Sequence, residues 1–235
     1  MLAIFKKELR GYFTGVIGYV FLVLFLALSA IIFCYTTMFS MTASTTAYFT
    51  YMLLFSGIIL PLLTMKSFSE ERKTRTEQLL LTAPVSIPSM VIAKFLASYV
   101  IFAGAMVFTS LYFFILYPYA ALKVAVLFGN IIALLLVGAC FISIGLFASA
   151  LTENQLSAAV GAIAIILGFL GVSLLASLIP SSYFIRFIFD SLSIFTRFQS
   201  FVNGYFDIAS IFYYISVSAI FIYLTIRIYD KRRYG

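Results

Sequence analysis

The 235-residue chain has no histidine and only two cysteines. Without histidine it has no Ser-His triad, none of the usual zinc or haem ligands and no common general base. Cys34 and Cys140 both lie in apolar runs, where cysteine packs as a small hydrophobe rather than as half of a disulfide or metal pair. No Gly-x-x-x-x-Gly-Lys-Ser/Thr phosphate loop occurs, so the chain carries no recognisable nucleotide site of its own. Charge is scarce as well: 10% of residues, against about 25% in soluble chains. With 64% apolar residues and a mean hydropathy of +1.14, a soluble globular domain is excluded. No internal repeat is apparent, which weighs against transporters built from inverted halves.

What the chain does have is long apolar runs. Each membrane crossing needs roughly 20 apolar residues, so the length fits five to seven spans and no folded soluble domain. The runs are apolar all round rather than alternating, which argues against a β-barrel. The expected class is all-α, a polytopic membrane protein with six transmembrane helices in a single transmembrane domain over 1–235. Residues 1–13 place Leu2, Phe5, Leu9 and Phe13 at helical spacing, with Lys6, Lys7 and Arg10 on the other face. That pattern predicts an N-terminal interfacial helix meeting anionic lipid. Gly11 through Met65 carries no charge and, as helix, measures roughly 80 Å, enough for two crossings and a turn. The spans are predicted near Val16–Met38, Ala47–Met65, Pro88–Leu116, Val124–Ala150, Leu156–Leu178 and Ile208–Ile228. Ser86 and Asp207 are expected helix caps, and Thr152–Gln155 a tight turn. Pro61, with Gly57 a turn earlier, is expected to bend span 2.

Six spans put both termini on one side. With the amino terminus cytoplasmic, inner segments hold twelve of the fifteen basic residues; Lys123, Arg186 and Arg197 alone fall outside. By the positive-inside rule the protein is a multi-pass protein of the cell (plasma) membrane with both termini cytoplasmic. The net charge of +7 thus reports topology, and no nucleic-acid partner is expected.

The cytoplasmic segment 66–87 between spans 2 and 3 is a charged island holding Glu70, Glu71, Arg72, Lys73, Arg75 and Glu77. As an acid/base group it is weak: no nucleophile, metal ligand or histidine accompanies the carboxylates, and three cations neutralise them. Ser67 and Glu70 match a capping box, Glu71 is spaced to pair with Arg75, and Pro84 and Pro88 stop the helix. Leu79, Leu80 and Leu81 do not suit water, since each forgoes burial worth about 1.5–3 kcal/mol. They cover either the underside of the bundle or a groove on a cytoplasmic partner, as a helix-in-groove ligand does.

Span 5 carries Ser157 with Gly161 and Ala164 with Gly168, pairs that let helix backbones approach in lipid. Span 4 adds Gly138, Ser143, Gly145, Ala148 and Ser149. Either set serves packing inside the bundle or pairing with a second subunit. Residues 179–207 are too long for a simple turn yet rich in phenylalanine. They are expected to form short re-entrant helices in the outer leaflet, broken near Ser191–Ser193 and at Asn203-Gly204, with a single interfacial helix as the alternative.

The run from Glu70 through Thr76, Glu77, Leu79, Leu80, Leu81 and Pro84 to Ser86, followed by Lys94-Phe95, resembles the cytoplasmic loop of ABC-2 type permeases, the membrane subunits of ABC exporters. Phe5-Lys6-Lys7-Glu8-Leu9-Arg10-Gly11-Tyr12-Phe13, with Gly18-Tyr19-Val20-Phe21, resembles the opening of the small group related to gliding-motility and nitrous-oxide-reductase accessory permeases. Phe198-Gln199-Ser200-Phe201-Val202-Asn203-Gly204 is similar too. One departure is Arg75, where the family often has glycine. The resemblance implies two six-span subunits, this chain with a second copy or a paralogue, each docked on a separately encoded cytoplasmic ABC ATPase, so two ATPase copies. ATP and Mg would be bound there, and no cofactor here. It makes 70–86 a coupling helix, with Glu70, Glu71, Arg72, Thr76, Glu77, Leu79, Leu80, Leu81 and Pro84 docking the ATPase. It makes Ser157, Gly161, Ala164 and Gly168 a dimer interface, and Phe187, Asp190, Arg197 and Phe198 part of an outer gate.

The expected function is therefore a non-catalytic permease subunit of an ATP-driven exporter. Its nearly uncharged spans favour amphipathic or hydrophobic cargo, peptide slightly ahead of lipid or drug. The alternative is an ATP-independent secondary transporter or channel, which would need ionisable groups inside the membrane. A lipid-modifying enzyme would need paired carboxylates, histidine or a cysteine near water, and none is there.

Overall fold

The computed structural model describes residues 1–40, 45–78, 85–116, 124–178 and 191–234, and these are helical with short turns and no strand. The helices are α1 Leu2–Thr14, α2 Val16–Phe33, α3 Thr45–Thr64, α4 Lys66–Lys73, α5 Ile87–Leu116, α6 Val124–Leu151, α7 Gln155–Leu178, α8 Ile194–Val202 and α9 Ile208–Tyr234. α2 continues as a π-helix over Cys34–Phe39. Six of these stretches are long and apolar enough to cross a membrane, which establishes a multi-pass α-helical membrane protein.

α6 is the centre. It packs against α3, α4, α5, α7, α8 and α9, and 67% of its apolar window is buried, against 28% for α7 and 22% for α9. Lipid tails are as apolar as leucine, so close packing rather than hydrophobicity decides which helix goes inside. The small residues of α6 provide it. A Cβ on Gly138 would lie 2.0 Å from the Phe102 ring, and one on Gly145 2.0 Å from the Thr64 hydroxyl. In span 4, therefore, the small residues serve internal packing.

Span boundaries follow the sequence reading within a few residues, with two extensions. α9 runs beyond Ile228 to Tyr234. α3 passes almost without a break into α4: Met65 keeps helical φ and ψ, and its N–H reaches Pro61 O at 2.8 Å. Pro61 sits inside α3, where its missing N–H falls opposite Gly57.

Several ends are capped as the local chemistry predicts. Asn154 Oδ1 accepts from Leu156 N at 3.0 Å to start α7, and Ser193 Oγ accepts from Thr196 N at 3.2 Å to start α8. Asp207 Oδ1 accepts from Ala209 N at 3.0 Å to start α9. The Ser210 hydroxyl, which also bonds this carboxylate, holds Asp207 below the usual carboxylate range, helped by the α9 amides and Arg197. α8 ends at Asn203, and Gly204 adopts φ +86°, the left-handed conformation that glycine tolerates. α8 buries Ile194, Phe198, Phe201 and Val202 against α6, α7 and α3. The expected break at Asn203-Gly204 is present, and the first of the two expected outer helices lies largely outside the described residues.

Candidate functional site: the α4 junction

The charged island folds into a junction where α1, α4, α5, α6 and α9 meet. α4 has only eight residues, too short to hold as an isolated helix. Its amino-terminal N–H groups need acceptors, and the expected Ser67 and Glu70 capping box does not provide them. α4 begins two residues too early for that motif, with Met65 at the cap position, and the Ser67 hydroxyl is buried without a partner. Ser149, near the end of α6, supplies the cap. Its Oγ accepts from Phe68 N at 3.0 Å and Ser69 N at 3.1 Å, and donates to Met65 O at 3.0 Å. One hydroxyl from another helix thus completes α4.

On the α5 side, Lys94 is the buried charge. Its side chain is 1% exposed, and Nζ lies 3.1 Å from Glu8 Oε1, 3.0 Å from Glu71 Oε1 and 2.7 Å from Ser67 O. The ammonium also stands 4.9 Å from the Phe68 ring centre. Lys7 approaches both carboxylates from the exposed side, at 3.8 and 3.5 Å. Three helices, α1, α4 and α5, are therefore tied through one ammonium. Beside it the Tyr12 hydroxyl pairs with Ser98 Oγ at 2.9 Å, and burial pushes this phenol above its usual range. α1 is thus more than a two-faced interfacial helix: Glu8 and Tyr12 turn a third face onto the bundle. A cavity of about 290 Å³ opens between α1 and α4, bordered by Lys7, Glu8, Gly11, Ser67, Glu71 and Thr74 among others.

The carboxyl end of α4 is held from α6 and the following turn. Arg72 pairs with Glu153 at 2.9 Å and donates to Leu151 O at 2.9 Å, satisfying a terminal carbonyl of α6. Glu70 pairs with Lys66 at 3.0 Å. The expected Glu71–Arg75 pair gives way to Glu71–Lys94. Arg75 itself takes φ +56°, the one non-glycine residue with positive φ among the described residues, just after the end of α4. That is the left-handed position at which a helix most often carries glycine, and glycine is what the resembling family often has there.

The candidate docking residues divide by environment. Glu71 and Glu77, with side chains 15% and 13% exposed, and Arg72 are engaged inside the chain. Glu70 is half-buried and Thr76 exposed, and Lys73, Thr74, Arg75 and Gln78, outside the candidate set, are exposed around Thr76. Leu79, Leu80, Leu81 and Pro84 lie outside the described residues.

The other two candidate sets are far from this junction in the chain. On α7, Ser157, Ala164 and Gly168 are exposed and Gly161 half-buried, and a Cβ on Gly161 or Gly168 would meet nothing within 4 Å. The stripe faces out of the bundle with Leu156, Val160 and Leu167 beside it. In the gate set, Phe198 is fully buried in the core, while Arg197 lies 4.6 Å from the Tyr213 ring centre and donates from Nε to Ser191 O at 2.9 Å. Phe187 and Asp190 lie outside the described residues.

Glu8, Lys94 and Ser149 were not singled out as site residues by sequence reasoning. Glu8 had a signal, being the one acidic residue before Glu70, set among basic ones. Lys94 had one in the Lys94-Phe95 pair that the resemblance includes, and Ser149 only as one of the small residues of span 4. Among the described residues no cluster of three metal-ligating side chains occurs.

Comparison with known proteins bears on what this junction serves. No curated protein matches the chain. Residues 2–231 match the family described as ABC-2 family transporter protein, nearly the whole chain. A chain of this family is the membrane permease of an ABC transporter, which implies an ABC ATPase as partner. With six apolar helices around α6 and this match over almost its full length, the chain belongs to the ABC-2 transporter family.

Proposed function

We propose that the chain is the non-catalytic permease subunit of an ATP-driven exporter whose separate ATPase docks on the segment from Glu70 to Pro84. The α4 junction then faces the cytoplasm, a reading that the twelve-to-three distribution of basic residues supports. ATP and Mg belong to the ATPase, and two ATPases serve a pair of permeases. The observation that carries this reading is the bonding of α4. It is tied to α1 and α5 through Lys94 and to α6 through Ser149 and Arg72, so a force applied to it reaches three other helices. An ordinary solvated loop has no need of such ties.

The exposed small-residue stripe on α7, Ser157 to Gly168, supports pairing with a second permease copy or a paralogue. The α8 end, with Arg197 and Phe198, is then the outer gate region. Cargo is amphipathic or hydrophobic, peptide ahead of lipid or drug, because the spans offer almost no charge to a polar solute. An ion-coupled transporter is disfavoured on the same ground.

The experiment is co-purification with the partner ABC ATPase that the family implies. Leu80→Asp is expected to leave the permease folded and release the ATPase. A complex that survives this change intact refutes the docking role.

A further inference from the structure

Two neighbouring arginines at the end of α9 reach opposite flanks of the segment between α4 and α5. Arg232 Nη1 lies 3.2 Å from Glu77 Oε1, and its Nη2 donates to Ala150 O at 2.7 Å. Arg233 Nη1 donates to Val85 O at 3.1 Å. Glu77 precedes residues 79–84 and Val85 follows them, so adjacent side chains of one helix turn hold both ends of the leucine-bearing segment. One turn earlier, Tyr229 packs its ring 4.8 Å from Phe68 of α4 and 5.1 Å from the Arg232 guanidinium. The Arg232 side chain is 25% exposed and that of Glu77 13%, so this bridge is partly shielded from solvent.

The choice of residue fits the task. A guanidinium presents several donors in a fixed fork, so Arg232 serves a carboxylate and a helix-terminal carbonyl together; a lysine offers a compact point charge.

We propose that Arg232 and Arg233 form a two-point clamp that fixes the two flanks, Glu77 and Val85, to α9 and, through Ala150, to the central helix α6. The clamp rests on the docking reading for its purpose, but not for its existence. Both arginines are positioning residues: they hold the flanks of the docking segment rather than entering the ATPase groove.

The test uses the full chain in lipid nanodiscs, with amide hydrogen exchange of residues 77–86 followed alone and with the ATPase. Arg232→Ala with Arg233→Ala is expected to speed exchange there about tenfold, the loss of charge-assisted hydrogen bonds, and to leave α2 and α7 unchanged. ATPase affinity is expected to fall about tenfold by the same loss of order, with maximal hydrolysis at saturating ATPase preserved. Arg232→Lys is expected to fall between the two, since it restores one of the two bonds. Unchanged exchange over 77–86 overturns the clamp. Faster exchange with ATPase affinity untouched, both here and in Leu80→Asp, overturns the docking reading and leaves the clamp standing. Should the double variant fail to fold, Glu77→Gln removes only the acceptor charge, and the same exchange measurement decides.

Discussion

Replacing Lys94 by methionine separates a structural tie from a mere topology marker. Methionine keeps most of the side-chain length and apolar bulk but leaves Glu8 and Glu71 facing a site without its ammonium. Removing one partner of a buried ion pair costs about 3–5 kcal/mol. Two features place Lys94→Met toward the lower end: each carboxylate keeps 15% exposure, and Lys7 remains at 3.8 and 3.5 Å. The expected loss is therefore about 3 kcal/mol. The informative comparison is the triple variant Lys94→Met, Glu8→Gln, Glu71→Gln, because buried ionic groups replaced together are often neutral in stability. It should recover to within about 1 kcal/mol of the parent. Reversible unfolding in mixed detergent and SDS micelles gives the free energies, and hydrogen exchange over 2–14 and 66–73 locates the change. A Lys94→Met loss below about 1 kcal/mol, or a triple variant as unstable as the single one, refutes the account of Lys94 as the tie between α1, α4 and α5.

Arg75→Gly relieves a left-handed backbone that costs an L-residue about 1–2 kcal/mol, partly offset by glycine's greater freedom when unfolded. The unfolding free energy should rise by about 0.5 kcal/mol, whereas Arg75→Ala, which keeps the strain, should not raise it. Gly138→Ala drives a methyl to 2.0 Å from the Phe102 ring, itself wedged edge-on against Phe25 at 5.7 Å. A loss of about 1–3 kcal/mol is expected, with Gly168→Ala, which meets open space, as the comparison that should stay near the parent in the isolated chain.

The six spans were legible because charge is so rare that each charged cluster marks a boundary, and membrane thickness fixes the rest. Ser149 was not legible. The local motif at Ser67 and Glu70 looked sufficient, and no sequence-local pattern announces a cap lent by a helix eighty residues away. Lys94 reads in one dimension as a basic residue on the inner side, and its burial depends on three helices arriving together. The glycines of α6 and α7 make the clearest contrast. Both helices show small residues at helical spacing, yet Gly138 and Gly145 press on neighbours while Gly161 and Gly168 face open space. Spacing tells that a helix can be approached closely, not what approaches it. Arg75 was noticed only as a departure from the glycine of the resembling family, and its φ of +56° gives that glycine a physical reason.

The cap that Ser149 lends to α4 also sets an order of events during synthesis. A ribosome makes residues 66–73 well before it makes α6. Until Ser149 arrives, the first amides of α4 lack their acceptor, and until Leu151 and Glu153 arrive, Arg72 has nothing to grip. The element that would receive the ATPase is therefore finished only when most of the permease has been inserted. On the docking reading, a half-made chain has no finished surface for an ATPase.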